Sequence, residues 1–248
     1  ITSEQTAAAL EVVNRSGVVL LSPTSSSSDF SGVDDYFFRV MPGNDRMAAS
    51  LAQHIHTNRG LDEALVIYDQ ANRSFSETWW GHFREAFRKL GGSSQATVFT
   101  SGQTDLKELM GLVSLRKPEA VVFIASAVDT ALMMQYARQE GMQAQFFSSS
   151  WAQTAELLEK GGQVVNGLEL STTFDPEAES EAYRQFVQAY QERYGSSPML
   201  GASHAFEAML VLAAALGETG GKADGLPQAL RGISDFPGLQ GNFSIDEF

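Results

Sequence analysis

Gly17–Asp29 reads GVVLLSPTSSSSD, and the change of character in its middle decides how the whole chain is read. The run Val18-Val19-Leu20-Leu21 is apolar without interruption, which suits a strand buried on both faces, as in a parallel sheet. Pro23 has no N–H to give to a ladder, so the strand must end before it. Thr24-Ser25-Ser26-Ser27-Ser28 then places a cluster of hydroxyls and free amides at the carboxyl end of a strand. Open α/β sheets bind small ligands at that end. A solvated serine loop has the same local sequence, so the surroundings must decide.

Upstream, Thr2-Ser3-Glu4-Gln5 has the form of a capping box, followed by Ala7–Val13 at helical spacing and by Gly17 as the stop. A strand ending just before Ile1 would put Ser3 at a strand-to-helix turn, with its hydroxyl and amide facing the same crevice as Ser26. Downstream, Tyr36–Val40 reads as a short strand halted by Pro42-Gly43. Regular alternation then begins. Helices are expected at Met47–His56, Ser76–Leu90, Asp105–Leu115, Asp129–Gln139 and Thr154–Lys160. Strands are expected between them at Ala64–Tyr68, Ala96–Phe99, Ala120–Ala125, Gln145–Ser148 and Leu168–Thr172. This order predicts an α/β fold with doubly wound parallel sheets and right-handed crossovers. After Asp175-Pro176 the rhythm breaks into two long helices, Glu179–Tyr194 and Ala202–Leu216, with no strand between them. A short helix at Leu226–Arg231 and a strand-like Asn242–Ile245 follow. Two lobes are therefore expected, a middle one over about 44–173 and another assembled from the flanks.

Composition limits the function. The net charge of −13 leaves no surface able to neutralise a nucleic-acid backbone or to dock on an anionic membrane. There is no cysteine, hence no disulfide or thiolate chemistry. No apolar run approaches the ~20 residues that span a bilayer, so direct membrane insertion is not expected. Neither a G-x-S-x-G elbow nor a phosphate-binding glycine loop is present, so an α/β enzyme has no motif to stand on. His54 and His56, two apart on a helix, point to different faces, and surface positions are their better reading. Met133-Met134 reads as helix packing. The loop Asp69–Phe75 (DQANRSF) leaves a strand at its carboxyl end and is a second ligand position, although Phe75 serves equally well as a hydrophobic staple.

The ordered segments SEQT, GVVLLSPTSSS, YFFRVMPGND, ALVIYD, DLKEL, EAVVFIAS, ARQEGM, GLELSTTFDP, FVQAYQERYGSSP and FPGLQGNFSID together resemble the type I periplasmic binding proteins. The resemblance covers nearly the whole chain. It is greatest to the leucine/isoleucine/valine-binding group, the solute receptors of branched-chain amino-acid ABC transporters. It implies two doubly wound lobes joined by crossing strands, with hinges near Val40–Asn44 and Ser171–Asp175. Lobe 1 would hold 1–43 and 174–240, and lobe 2 would hold 44–173 and about 241–248. It also implies that lobe 1 lacks its opening βα units, so that the chain is a fragment.

The resemblance further implies a non-enzymatic, periplasmic or otherwise extracytoplasmic receptor. Its partners would be a small amino-acid or organic-acid ligand and a membrane permease, with no cofactor, metal or nucleic acid. In the matching positions, Ser3 binds the ligand carboxylate through hydroxyl and amide, and Ser26, beside Ser25, assists. Thr24 offers its carbonyl to the ammonium, and Phe75 closes over the ligand. Ala127 stands, small, at an aromatic position. Ser150 stands where amino-acid binders often place an acid against the ammonium. That departure removes a charge-assisted bond worth about 1.5–3 kcal/mol. It keeps open a ligand without an amine, such as an aromatic or aliphatic acid, and also a sensor built on the same fold. If an ammonium is bound, Asp129 is the first substitute for the missing acid.

Overall fold

The computed structural model describes residues 2–246; Ile1, Glu247 and Phe248 lie outside the described residues. The chain divides into two units, Ile1–Pro42 with Phe174–Phe248, and Gly43–Thr173.

In the first unit, helix α1 spans Ser3–Ser16. Thr2 caps it by accepting from the Gln5 N–H, the Gln5 side chain returns a bond to the Thr2 N–H, and Gly17 ends it in the left-handed region at φ 64°. Strand β1, Leu20–Ser22, pairs in parallel with β2, Phe37–Arg39. The expected strand Val18–Leu21 thus starts later and is not buried on both faces: Val18 is 59 % exposed and Leu20 and Leu21 are half-buried. Among the described residues β1 has β2 as its one sheet neighbour.

The second unit carries the alternation. Its elements are α2 (Asn44–Gln53), β3 (Glu63–Asp69), α3 (Arg73–Lys89), β4 (Ser93–Phe99), α4 (Leu106–Leu115) and β5 (Ala120–Ile124). They continue with α5 (Ala127–Gln139), β6 (Gln145–Ser148), α6 (Ala155–Gly161) and β7 (Leu168–Leu170). All five strands run parallel in the order β4-β3-β5-β6-β7. Every residue of β5 is fully buried, because the sheet is covered on both faces. On one face lie Phe123, Phe146, Met110, Met133 and Met134. On the other, Trp79, Phe83 and Phe87 project from α3 at helical spacing and stack at 5.3–5.6 Å between ring centres.

Where one helix was expected over Met47–His56, α2 ends at Gln53 and a π-helical turn, His54–Asn58, takes over. Residues five apart on an α-helix stand roughly 140° round from each other. The wider π turn, closed by the Arg59 N–H to the His54 carbonyl at 3.1 Å, brings the two side chains together. His54 Nε2 and Arg59 Nη2 both reach Glu169 on β7, each at 2.6 Å. Burial alone would raise the Glu169 carboxyl, but these two partners outweigh it and hold it below its ordinary range. His56 pairs with Asp62 at 3.2 Å, so neither histidine is a bare surface residue.

The first unit resumes with α7 (Glu181–Tyr194), α8 (Leu200–Glu218), α9 (Leu226–Arg231), β8 (Phe236–Pro237) and β9 (Asn242–Phe243). Strands β8 and β9 pair antiparallel, and Ile245 donates its N–H to the Ile233 carbonyl and packs with Val211 and Leu230. The tail 241–246 therefore belongs to the first unit, against its expected place in lobe 2. Gly43, expected at the end of lobe 1, caps α2 and falls in the second unit. By length and composition α8 could cross a membrane, which the sequence reading missed. It carries the buried pair His204 and Glu207, 3.2 Å apart, and Glu207 accepts the Leu239 N–H at 2.8 Å.

Candidate ligand site

The carboxyl end of β1 is built from hydroxyls that bond backbone N–H groups and one another. Ser22, the last strand residue, accepts from the N–H of Ser25 at 3.0 Å and of Thr24 at 3.4 Å. That is the local turn chemistry serine favours. The Ser25 and Thr6 hydroxyls share a bond of 2.6 Å, which ties the loop to α1. Ser3 Oγ accepts from the Ser27 N–H at 3.3 Å, and Arg39 donates to the Ser27 carbonyl at 2.7 Å. Ser3, Ser25, Ser26 and Ser27 are all buried, so this is no solvated serine loop.

Two residues here keep donors without an acceptor. Ser26 is 2 % exposed, yet neither its amide nor its hydroxyl bonds any described residue. Ser3, 3 % exposed, lies in the first turn of α1, and its N–H has no acceptor among the described residues. Buried backbone donors are nearly always paired in folded proteins. Open donors beside a helix N-terminus form a setting ready for an anion. Ser3, Thr24, Ser25 and Ser26 are thus neighbours in one loop–helix arrangement.

In the second unit the expected residues fall at the carboxyl ends of β3, β5 and β6. Phe75, in the first turn of α3, is only 5 % exposed and packs edge to face on Trp151 with ring centres 5.8 Å apart. Its carbonyl accepts from Asn44 Nδ2 at 3.1 Å. Phe75 is therefore largely a core residue, the staple alternative of the sequence reading. Ala127 opens α5 and is buried in the apolar layer around Phe123, so it offers a ligand almost no surface. Ser150 follows β6; its hydroxyl meets only the Met47 sulfur, a weak acceptor, at 3.5 Å.

Asp129 is already engaged. Its Oδ2 accepts from Ser126 and Ser101 hydroxyls, both at 2.8 Å, and Ser126 in turn accepts the Asp129 N–H. Ser126 is the side-chain N-cap of α5. Nearby Asp69 accepts from the N–H groups of Ala71 and Ser101 at 2.9 and 3.0 Å. Burial pushes its carboxyl up, the two N–H bonds oppose that, and the charge of Asp129 adds to the rise. The sequence reading did not single out Trp151. Its position directly after Ser150, in a loop leaving a strand at the carboxyl end, was the available signal.

A two-unit α/β chain with open donors after a first-unit strand has the architecture of a solute-binding protein. The chain belongs to the periplasmic binding protein family, whose model matches residues 1–247. Its fold is that of the type I members from branched-chain amino-acid transporters. The leucine-binding protein LivK of Thermotoga maritima superposes with a TM-score of 0.93 at 25 % identity, over 100 % of this chain and 71 % of that one. LivJ of Streptococcus pneumoniae, solved with isoleucine, gives a TM-score of 0.83 at 21 % identity over 96 % and 68 %. A solute-binding protein of R. palustris, solved with benzoate, gives 0.86 at 14 % identity over 96 % and 67 %. No curated protein matches the chain.

Proposed function

We propose that this protein is the extracytoplasmic receptor of an ABC transporter, delivering a small carboxylate-bearing solute to a membrane permease. The first ligand class is an apolar amino acid of the branched-chain kind, and no catalysis is involved. The observation that carries the proposal is the open donor set of Ser3 and Ser26, buried and without protein acceptors. In this reading the ligand carboxylate takes the Ser3 amide and hydroxyl and the Ser26 amide and hydroxyl, and Thr24 lends its carbonyl to an ammonium. Of the expected second-unit residues, Ser150 keeps a hydroxyl with only a thioether partner, whereas Phe75 and Ala127 are buried and offer a ligand little surface. The leucine-binding relative at 25 % identity supports the amino-acid class.

A second reading is favoured by Ser150. No acid stands there, and Asp129 is held by two hydroxyls at the α5 cap. A carboxylate without an amine, as in the benzoate-bound neighbour, needs neither. Calorimetry with leucine, phenylalanine, 4-methylpentanoate and 3-phenylpropionate separates the two. Amino acids binding at least tenfold tighter than their deaminated partners support the first reading. Equal binding supports the second, because an ammonium with a charged partner should contribute about 1.5–3 kcal/mol.

A further inference from the structure

One residue outside the family-matched set is placed to choose among such ligands. Trp151 leaves the carboxyl end of β6, and Phe75 belongs to the helix that follows β3. Those strands are separated in the sheet by β5. Their edge-to-face contact at 5.8 Å therefore spans the carboxyl end of the central strand. The two rings differ in what they leave free. Phe75 is buried, whereas Trp151 is half-buried and keeps open surface. The Trp151 indole N–H also donates to no group among the described residues, although tryptophans packed into a protein usually pair that group. The preceding Ser149 hydroxyl is fully buried and unpartnered, and Ser150 has only a thioether sulfur. The loop Ser149–Trp151 thus presents an aromatic face and an open N–H donor, with no carboxylate of its own.

We propose that Trp151 is the residue through which the second unit selects its ligand, packing on an aromatic or large apolar body and donating its N–H to an acceptor on it. This rests on the transport reading above and narrows its ligand class toward aromatic carboxylates. Small aliphatic ones gain less, since they fill less of the indole face. Trp151→Ala should weaken phenylalanine or 3-phenylpropionate by about tenfold or more, and leucine or 4-methylpentanoate by about threefold or less. Ligand addition should change the tryptophan fluorescence of the wild type, and Trp151→Phe should abolish that change.

Equal, unaltered affinities in Trp151→Ala would overturn the inference while leaving the transport reading intact. A wild type that binds none of the four overturns both. Should the alanine variant not fold, the phenylalanine variant decides, and a ligand-induced fluorescence change that persists in it overturns the inference.

Discussion

Two apolar strands of similar sequence meet opposite fates in the two units. Ala120–Ile124 is fully buried, with parallel neighbours on both sides and apolar layers on both faces. Leu20–Ser22 has one neighbour among the described residues, and its two leucines are only half-buried. Among the described residues the first unit has one apolar cluster, around α8 and α9, whereas the second unit has two, one on each face of its sheet. Phe206, Met209 and Tyr194 remain exposed on the first unit. An apolar run alone therefore specifies a strand, and its burial depends on which other segments supply its neighbours. The open donors of Ser3 and Ser26 lie in the first unit.

The comparison is tested most severely in the aromatic stack of α3. Phe83→Ala should destabilise the second unit by about 3–5 kcal/mol, since a ring packed between Trp79 and Phe87 leaves a cavity that cannot close. Leu21→Ala, at a half-buried site, should cost clearly less. Denaturant unfolding of both variants measures the contrast, and equal losses would break it. A smaller effect is expected at the start of the first unit. Thr2→Ala removes the α1 cap and should cost about 0.5–2 kcal/mol. It should also weaken ligand affinity, because it frees the turn that presents Ser3.

The smallest effect is expected at Glu169. A carboxyl held below its ordinary range adds stability that is present above the unfolded pKa and is lost as pH falls through the folded one. Glu169→Gln should therefore destabilise the second unit slightly near neutral pH, by less than about 1 kcal/mol for a partly exposed pair. The difference from wild type should shrink to nothing in acid below the ordinary glutamate range. Thermal melts at neutral and acid pH measure it. A constant difference would mean that the π turn and its ion pairs do not act through charge.

Much of this architecture was legible because it is local. The box Thr2-Ser3-Glu4-Gln5, the stop at Gly17 and the β–α spacing from Ala64 to Leu170 are written in short-range patterns, and the elements formed there within a few residues of expectation. What could not be read depends on distant partners. The π turn at His54–Asn58 makes sense only with Glu169 on β7, more than a hundred positions away. The tail at Asn242 needed β8 and Ile233 to fix its unit. The burial of His204 follows from Glu207 and the Leu239 turn. At the site, the serine loop and Ser3 were visible as a hydroxyl cluster after a strand. The engagement of Asp129 at a helix cap, the burial of Phe75 and the place of Trp151 became clear only with the packing of β3, β5 and β6.

The central claim is that the open donors of Ser3 and Ser26 take a carboxylate. Titration calorimetry with leucine, phenylalanine and their methyl esters, on the wild type and on Ser3→Ala and Ser26→Ala, tests it most directly. Each hydroxyl bond to a charged acceptor contributes about 1.5–3 kcal/mol, so each substitution should weaken the free acid roughly ten- to a hundredfold. The esters should bind poorly to all three proteins, and the melting temperature of Ser26→Ala should stay close to that of the wild type, since its hydroxyl holds no described residue, whereas Ser3→Ala also loses the bond from the Ser27 N–H. Esters that bind as tightly as the acids, or affinities untouched by either substitution, would contradict the account.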